Sequence, residues 1–499
     1  MHNYEKYIAV SLVTAVALTS AQAKTNIEDL PLAKTIPVGA STAVATVTLE
    51  DRVKSLEEKL AKSDKKYKKL SKKLNVVKTH DAFDNIKFSI DFRNSVDSIN
   101  YKYHDYGTLS GTEASNDALL ASRLYLNMKS KPLDNLMFSG QIAMYGTWGG
   151  SHLSHDISLK DWSESSKATD SIFRIRQAYF VWTDTLGDDG LPYAFSVGRR
   201  LSTDGFLANH RENYDKPGSP LGHITNMEVN GAMLKLNLEE YVLPGTFVKF
   251  VYGRAHTGGI DTLNDVGGYA PYAQDEVDLD ENVNFFVVLG SLYNDGQYNL
   301  MYENATIFNT KGARTGTVAT GAAFLDEDGK NKSLDAGIAN LTALSLQVDG
   351  IGDEINDFLD STTAFASIAM TNYDPDSGHQ LLGSSESEMG TGYWIGATIP
   401  DMITDDGKFG FEYNHGSQYW TPITWAEDTA IGSKVAVRGS AYEAYWNFNL
   451  FGVKNLASQI RYTHIQHDYT PSIRCAGWVK PAPVDIEADD LRFFIRYSY

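Results

Sequence analysis

Charged side chains recur at alternate positions within apolar stretches of this sequence. Lys87, Asp91 and Arg93 lie in IKFSIDFR, Arg123 in SRLYLNMK, Arg174 and Arg176 in FRIRQAYF, and Glu412 in FGFEYN. Glu443 lies in AYEAYW, Arg461 in QIRYT, and Arg492 and Arg496 in LRFFIRYSY. Each would be costly to desolvate in a dry core. Around an aqueous bore they become useful: arginines on several strands, facing Asp and Glu from inserted loops, create a transverse field that sorts solutes by charge and size. The plainer reading is that they only solvate a wide pore.

Other chemistry is thinly supplied. His152 with His155, and His464 with His467, are spaced for a shared ligand, but no Cys or third ligand stands near them. The acidic runs Asp275 to Glu281 and Asp374-Pro375-Asp376 offer oxygen ligands yet fall short of a calcium loop, and read as solvated. Neither a nucleophile elbow nor an HExxH helix occurs. The sequence points to no catalytic residue, metal or cofactor, and to a chain that is not an enzyme.

Strands must position the alternating charges, because strict apolar and polar alternation places one face of a strand in an apolar phase and the other in water. Phe88, Ile90 and Phe92 alternate with Lys87, Asp91 and Arg93, and Leu124, Leu126 and Met128 with Arg123 and Tyr125. Phe409, Phe411 and Tyr413 alternate with Glu412, and Trp446 and Phe448 with Tyr445 and Asn447. Soluble sandwiches also alternate. Three further features favour a membrane barrel: strands of about ten residues, aromatics crowding strand ends such as Tyr393-Trp394 and Tyr419-Trp420, and the closing segment. There Leu491, Phe493, Ile495, Tyr497 and Tyr499 occupy every second position up to a final aromatic, as in an insertion signal read by barrel-assembly machinery.

The expectation is an all-β chain whose residues 81–499 form a transmembrane antiparallel β-barrel of about 16 strands, range 14 to 18, with long loops near 201–227, 256–282 and 309–361. A bore of that size is water-filled. Between Ser333 and Asp360 apolar residues recur at three and four positions, including Leu334, Ile338, Leu341, Leu344 and Val348. That spacing predicts one or two short helices in a loop on the barrel mouth.

Residues 1–23 read as a signal peptide, with the apolar run Ile8 to Leu18 and a cleavage site at Ala21-Gln22-Ala23. Cys475 is the single cysteine, so no internal disulfide forms. A linker spans 24–48. Within 49–78, Leu49, Val53, Leu56, Leu60, Tyr67, Leu70, Leu74 and Val77 form a heptad stripe with Ser63 its only polar member, which predicts a periplasmic coiled coil. A single helix lying on the body of the same chain is the alternative.

Charge divides at the same place. The chain carries 63 acidic and 44 basic residues, a formal charge of −19. Residues Lys24 to His80 hold 13 basic against 7 acidic, whereas from Asp81 onward there are 30 basic against 55 acidic. Such a balance excludes nucleic acid as a partner. The Lys-rich helix face reads as solvated, with contact to an anionic cell-wall polymer as the sharper alternative. With 28 Tyr, 22 Phe and 8 Trp the chain is also too aromatic to be disordered.

Phe173 to Trp182, Phe195 to Arg200, Pro217-Gly218-Ser219-Pro220, Gly410 to Trp420 and Arg438 to Glu443 resemble an uncharacterised domain-of-unknown-function family of porin-like outer-membrane proteins from the epsilonproteobacterial lineage. Leu201 stands where that resemblance leads one to expect a proline. The resemblance implies a signal peptide, an N-terminal coil and a barrel, and supplies no substrate or catalytic residue. Some sugar and phosphate porins place a coiled coil before a trimeric barrel, and by that analogy a homotrimer is expected. The expected function is a porin of the bacterial outer membrane, in contact with lipid and lipopolysaccharide, admitting small hydrophilic solutes or ions by passive diffusion. Its alternatives are a structural or adhesive barrel tethered to the cell wall through the coil, and a barrel lipase or protease.

Overall fold

The computed structural model describes residues 63, 65, 66, 68–70, 73, 86–148, 172–187, 190–256, 282–316, 334–352, 355–424, 427–472 and 479–499. The chain divides into two units, Met1–Asn75 and Val76–Tyr499. In the first, Ser63, Lys65, Lys66, Lys68, Lys69, Leu70 and Lys73 are helical, and Leu70 is 67% exposed in the single chain. The other heptad positions, the signal segment and the linker lie outside the described residues, as do His152, His155, Cys475 and the acidic run 275–281.

The second unit is built from strands β1 (Lys87–Asp105), β2 (Thr112–Leu133), β3 (Leu136–Thr147), β4 (Phe173–Leu186), β5 (Leu191–Ser202) and β6 (Met227–Asn237). They are followed by β7 (Phe247–His256), β8 (Val283–Asn294), β9 (Tyr298–Phe308), β10 (Lys311–Arg314), β11 (Leu334–Asp335), β12 (Gly337–Asp349) and β13 (Thr363–Pro375). Last come β14 (His379–Gln380), β15 (Glu388–Pro400), β16 (Lys408–Gly416), β17 (Gly439–Asn449), β18 (Leu456–Tyr469) and β19 (Pro483–Ser498). Sixteen of these close into one barrel, and β10, β11 and β14 form a separate three-stranded sheet. Closure is antiparallel between β1 and β19, where Ile90 and Tyr499 exchange backbone hydrogen bonds of 2.8 and 2.9 Å. A closed barrel leaves no unpaired edge, which is the condition for β-structure to cross a bilayer.

Alternation sorts the faces as the sequence requires. Phe88, Ile90, Phe92, Phe180, Phe195, Leu344, Ile395, Phe411 and Tyr462 are exposed on the outside, together with Leu491, Phe493, Tyr497 and Tyr499; Ile495 shares that face. Their neighbours Arg93, Arg123, Glu412, Glu443, Arg461, Arg492 and Arg496 point inward and are buried.

Two segments fold into the bore. Residues 203–226, between β5 and β6, carry helix α1 (Ala208–Arg211), and residues 417–438 connect β16 to β17. They pair with each other through Asn226 N–H to Ile423 O at 2.7 Å and Ile423 N–H to Ile224 O at 3.0 Å. On one side of the bore, Phe206, Leu207, Leu221 and Ile224 pack with Phe285, Leu289, Leu341, Phe365, Trp394 and Trp420 in a single apolar cluster. Trp420 fits because Gly392 faces it: a Cβ there would lie 2.6 Å from the indole ring.

The helices expected over 333–360 are not what forms, and 309–361 is not one loop. Residues 337–349 are strand β12, paired with β9 and β13 along its length. Its outward Ile338, Leu344 and Leu346 meet the apolar phase, while its inward Ala339, Leu341 and Ala343 are fully buried against the inserted segments. A strand apolar on both faces loses its alternation, and three-and-four spacing then arises without a helix. Among the described residues of that stretch only α2 (Asp357–Asp360) is helical, its first turn capped by Asn356 Oδ1 accepting from Leu359 N–H at 2.9 Å. Where a loop is expected near 201–227, residues 203–226 connect β5 to β6. Strands end at His256 and resume at Val283, and the segment between lies outside the described residues.

Candidate functional site: a charged constriction in the bore

Strand register assembles the wall. Arg93 on β1 stands opposite Arg123 on β2 and Arg496 on β19, and two layers away Arg492 on β19 stands opposite Asp97 on β1 and Arg461 on β18. Like charges directly across a strand pair repel, so this basic wall requires anions from elsewhere in the bore.

The inserted segments bring them. The Asp428 carboxylate pairs with Arg93, with Arg123 Nη1 at 3.0 Å and with Arg492 Nη1 at 3.3 Å. Its backbone carbonyl accepts from Arg461 Nη2 at 3.3 Å and Arg492 Nη1 at 3.1 Å. Burial opposes ionisation of Asp428, but the charges of Arg93, Arg492 and Arg123 outweigh it and hold the carboxyl well below the usual carboxylate range. The wall adds Asp91, 3.4 Å from Arg123 Nη2, and Asp97, paired with Arg492.

Next to this basic sector lies an acidic one. Glu412 on β16 stands opposite Glu443 on β17, and Lys434 from the second segment pairs with both, at 2.7 Å in the case of Glu412. Trp394 Nε1 donates to Glu412 at 2.7 Å, and Thr463 Oγ1 donates to Glu443 at 2.8 Å. Arg211 joins the sectors by pairing with Glu212 at 3.1 Å, with Glu427 and with Glu443 at 3.8 Å.

The first segment is fastened around the bore by polar contacts. Glu303 on β9 accepts from Leu221 N–H at 2.5 Å and Thr225 Oγ1 at 2.8 Å. His210 Nε2 meets Gln347 Oε1 at 2.9 Å, and its ring stacks on Phe365 at 4.8 Å. Gln459 Nε2 donates to Arg211 O at 2.6 Å, and Arg496 Nη1 to Glu212 O at 3.3 Å. Burial alone drives the His223 imidazole down to about 3, so it is a neutral partner for Ser367 Oγ at 2.7 Å.

Of the residues expected to line the pore, Asp91, Arg93, Arg123, Glu412, Glu443, Arg461, Arg492 and Arg496 gather in these sectors. Arg176 does so separately: a register irregularity between Gln141 and Ile142 makes it the extra residue of β4, where it pairs with Glu228 Oε1 at 2.6 Å and donates to Thr203 Oγ1 at 3.3 Å. Arg174 and Lys87 are exposed near the first residues of their strands and belong to neither sector. Asp428, Lys434, Arg211, Glu212 and Glu427 escaped sequence reasoning because loops have no period. The usable signal was the interruption of alternation from 417 to 438, between two clear strands. Among the described residues there is no group of three or more His, Cys, Asp or Glu placed to hold a metal ion.

No curated protein matches the sequence. Among solved structures, in-vitro folded OmpT, an outer membrane protein of Vibrio cholerae, is 12% identical, with 83% of this chain and 97% of that one covered and a TM-score of 0.44. OprB of Pseudomonas putida is 13% identical over 83% and 94% of the two chains, TM-score 0.43, and Salmonella typhi OmpF in complex with daunomycin 9% over 81% and 97%, TM-score 0.39. These similarities carry no function or lineage to this chain. Residues 113–494 match the family described as "Protein of unknown function (DUF3373)", and the chain belongs to that family.

Proposed function

We propose that this chain is an outer-membrane porin that admits small hydrophilic solutes by passive diffusion, acting without catalysis, inserted by the barrel-assembly machinery and assembled as a homotrimer. The observation that carries the reading is the opposition, inside a barrel with an apolar exterior, of a guanidinium wall to carboxylates on inserted segments. A neutral or purely structural filling would not need so many charges, each of which loses hydration on burial. Facing charges create a local field across a narrow bore, which favours polar solutes over apolar ones of the same size.

A second reading is a structural barrel anchoring a periplasmic tether. The direct pairing of the two segments at Ile224 and Ile423 favours it, because it draws both across the bore. Planar-bilayer recording on the refolded full chain decides between them. The porin reading expects discrete conductance steps, and an inserted but silent barrel contradicts it. The tether reading expects cosedimentation with cell wall that is lost when Lys65, Lys66, Lys68 and Lys69 are replaced by Glu.

A further inference from the structure

The Asp428 carboxylate is held as a bound ligand would be. One oxygen accepts from Arg93 and from Arg123 Nη1 at 3.0 Å, and the other accepts from Arg492 Nη1 at 3.3 Å. These three guanidinium groups come from three different strands of the wall and are 8%, 6% and 5% exposed, whereas the Asp428 side chain is 29% exposed. Of the four side chains the carboxylate is thus the most exposed, and the guanidinium groups lie behind it. Within the cradle Arg123 Nε is buried without a hydrogen-bond partner, so the site has a donor to spare.

Release of this carboxylate does not require the segment to leave. Two anchors lie outside the cradle: Arg461 Nη2 donates to the carbonyl of the same residue at 3.3 Å and the preceding Glu427 is paired with Arg211, whereas Arg492 Nη1 serves both the carbonyl and the carboxylate. Rotation of one side chain clears the cradle while the backbone stays fastened.

We propose that Arg93, Arg123 and Arg492 form a carboxylate-binding site of which Asp428 is the tethered occupant, displaced by a small carboxylate as that solute enters. The transport half of this statement rests on the porin reading, and the site does not. Carboxylate is favoured over a tetrahedral oxyanion because the cradle addresses two oxygens of one planar group. Bidentate or forked guanidinium contacts of this kind are the strong class of charge-assisted hydrogen bond.

The test is isothermal titration of succinate into the refolded full chain in micelles, comparing wild type with Asp428→Asn and Asp428→Ala. Folding is checked by heat-modifiable electrophoretic mobility. Removal of the tethered competitor is expected to tighten succinate binding at least about tenfold, roughly the worth of one charge-assisted hydrogen bond. Adding Arg123→Ala to Asp428→Asn is expected to abolish the gain. Succinate binding to both folded variants that is no tighter than to wild type overturns the site. Inorganic phosphate binding as tightly as succinate overturns the carboxylate assignment. Bilayer recording in parallel keeps the two ideas apart: a silent barrel removes the porin reading, while the calorimetry still decides the site. Asn retains the shape of Asp428 and answers the question if the Ala variant does not fold.

Discussion

Arg174 and Arg176 lie two positions apart in one strand and share an expected role, yet the irregularity in β4 separates them. Arg176 is buried on Gln141, Thr203 and Glu228, with its guanidinium 4.6 Å from the Tyr125 ring, whereas Arg174 is exposed. Arg176→Ala is expected to lower stability by about 1–3 kcal/mol, discounted because Glu228 is partly solvated. Arg174→Ala should be near neutral. Urea titration of the two variants in liposomes checks this, and equal midpoints would show that the bulge does not decide their fates. Asp204 provides a pH test in the first segment. Burial, followed by the charge of Glu212, raises its carboxyl to about 6 despite the opposing charges of Arg176 and Arg123. A raised value in the fold means that stability from this group is full below the unfolded value near 4 and is lost as pH rises through about 6. Asp204 therefore adds one negative charge to the first segment between about pH 5 and 7. Asp428 and Glu212 are held low by arginines and stay charged across that window, burial keeps His223 neutral, and burial lowers His210. Cation preference in reversal-potential measurements should rise over this interval by less in Asp204→Asn than in wild type, and equal rises in the two would contradict a contribution from Asp204.

Elements that see lipid on one face and water or charge on the other were legible before any coordinates. Strands β1, β2, β16, β17 and β19 were legible because charged residues, Arg93, Arg123, Glu412, Glu443, Arg492 and Arg496, stand among their inward positions. β12 hid itself, since its inward side meets apolar loop residues instead of charge. The segment 417–438 was hidden for a related reason: its anchors are single residues such as Asp428, Lys434 and Trp420, each fixed by a partner distant in sequence. Half the constriction was thus readable, the strand half, and the loop half was not. The seat of Trp420 makes this packing testable. A side chain at Gly392 must displace the indole, whose Nε1 donates to Val435 O at 2.8 Å, and overpacking of this kind costs about 1–3 kcal/mol. Gly392→Val is expected to lower the thermal midpoint and, by unseating the segment, to raise single-channel conductance over wild type. A lower midpoint with unchanged conductance would mean that 417–438 does not limit the bore.

At the scale of the whole molecule the net charge of −19 describes no surface that a solute meets. It is the sum of a basic N-terminal stretch and an acidic remainder, and within that remainder the bore separates again into a guanidinium sector and a Glu412–Glu443 sector neutralised by Lys434. An acidic chain can therefore present a locally cationic wall, and on the porin reading proposed above selectivity is expected to follow the wall, because fields from distant exposed charges are screened within about 10 Å at ordinary salt. Barrel closure depends on β1 and β19, which begin at Lys87 and Pro483, and on no described residue before 86. Removal of residues 49–78 should consequently leave heat-modifiable mobility and the unitary conductance of each barrel unchanged. If the heptad stripe forms the expected coiled coil of the proposed trimer, what the deletion reduces is association, because such a seam contributes nothing to the hydrogen-bonded ring of strands. Native mass measurement of the deleted and full-length proteins in the same detergent tests this. Trimers persisting without 49–78 would place the association surface on the barrel wall, and loss of the folded barrel itself would contradict the independence argued from strand pairing.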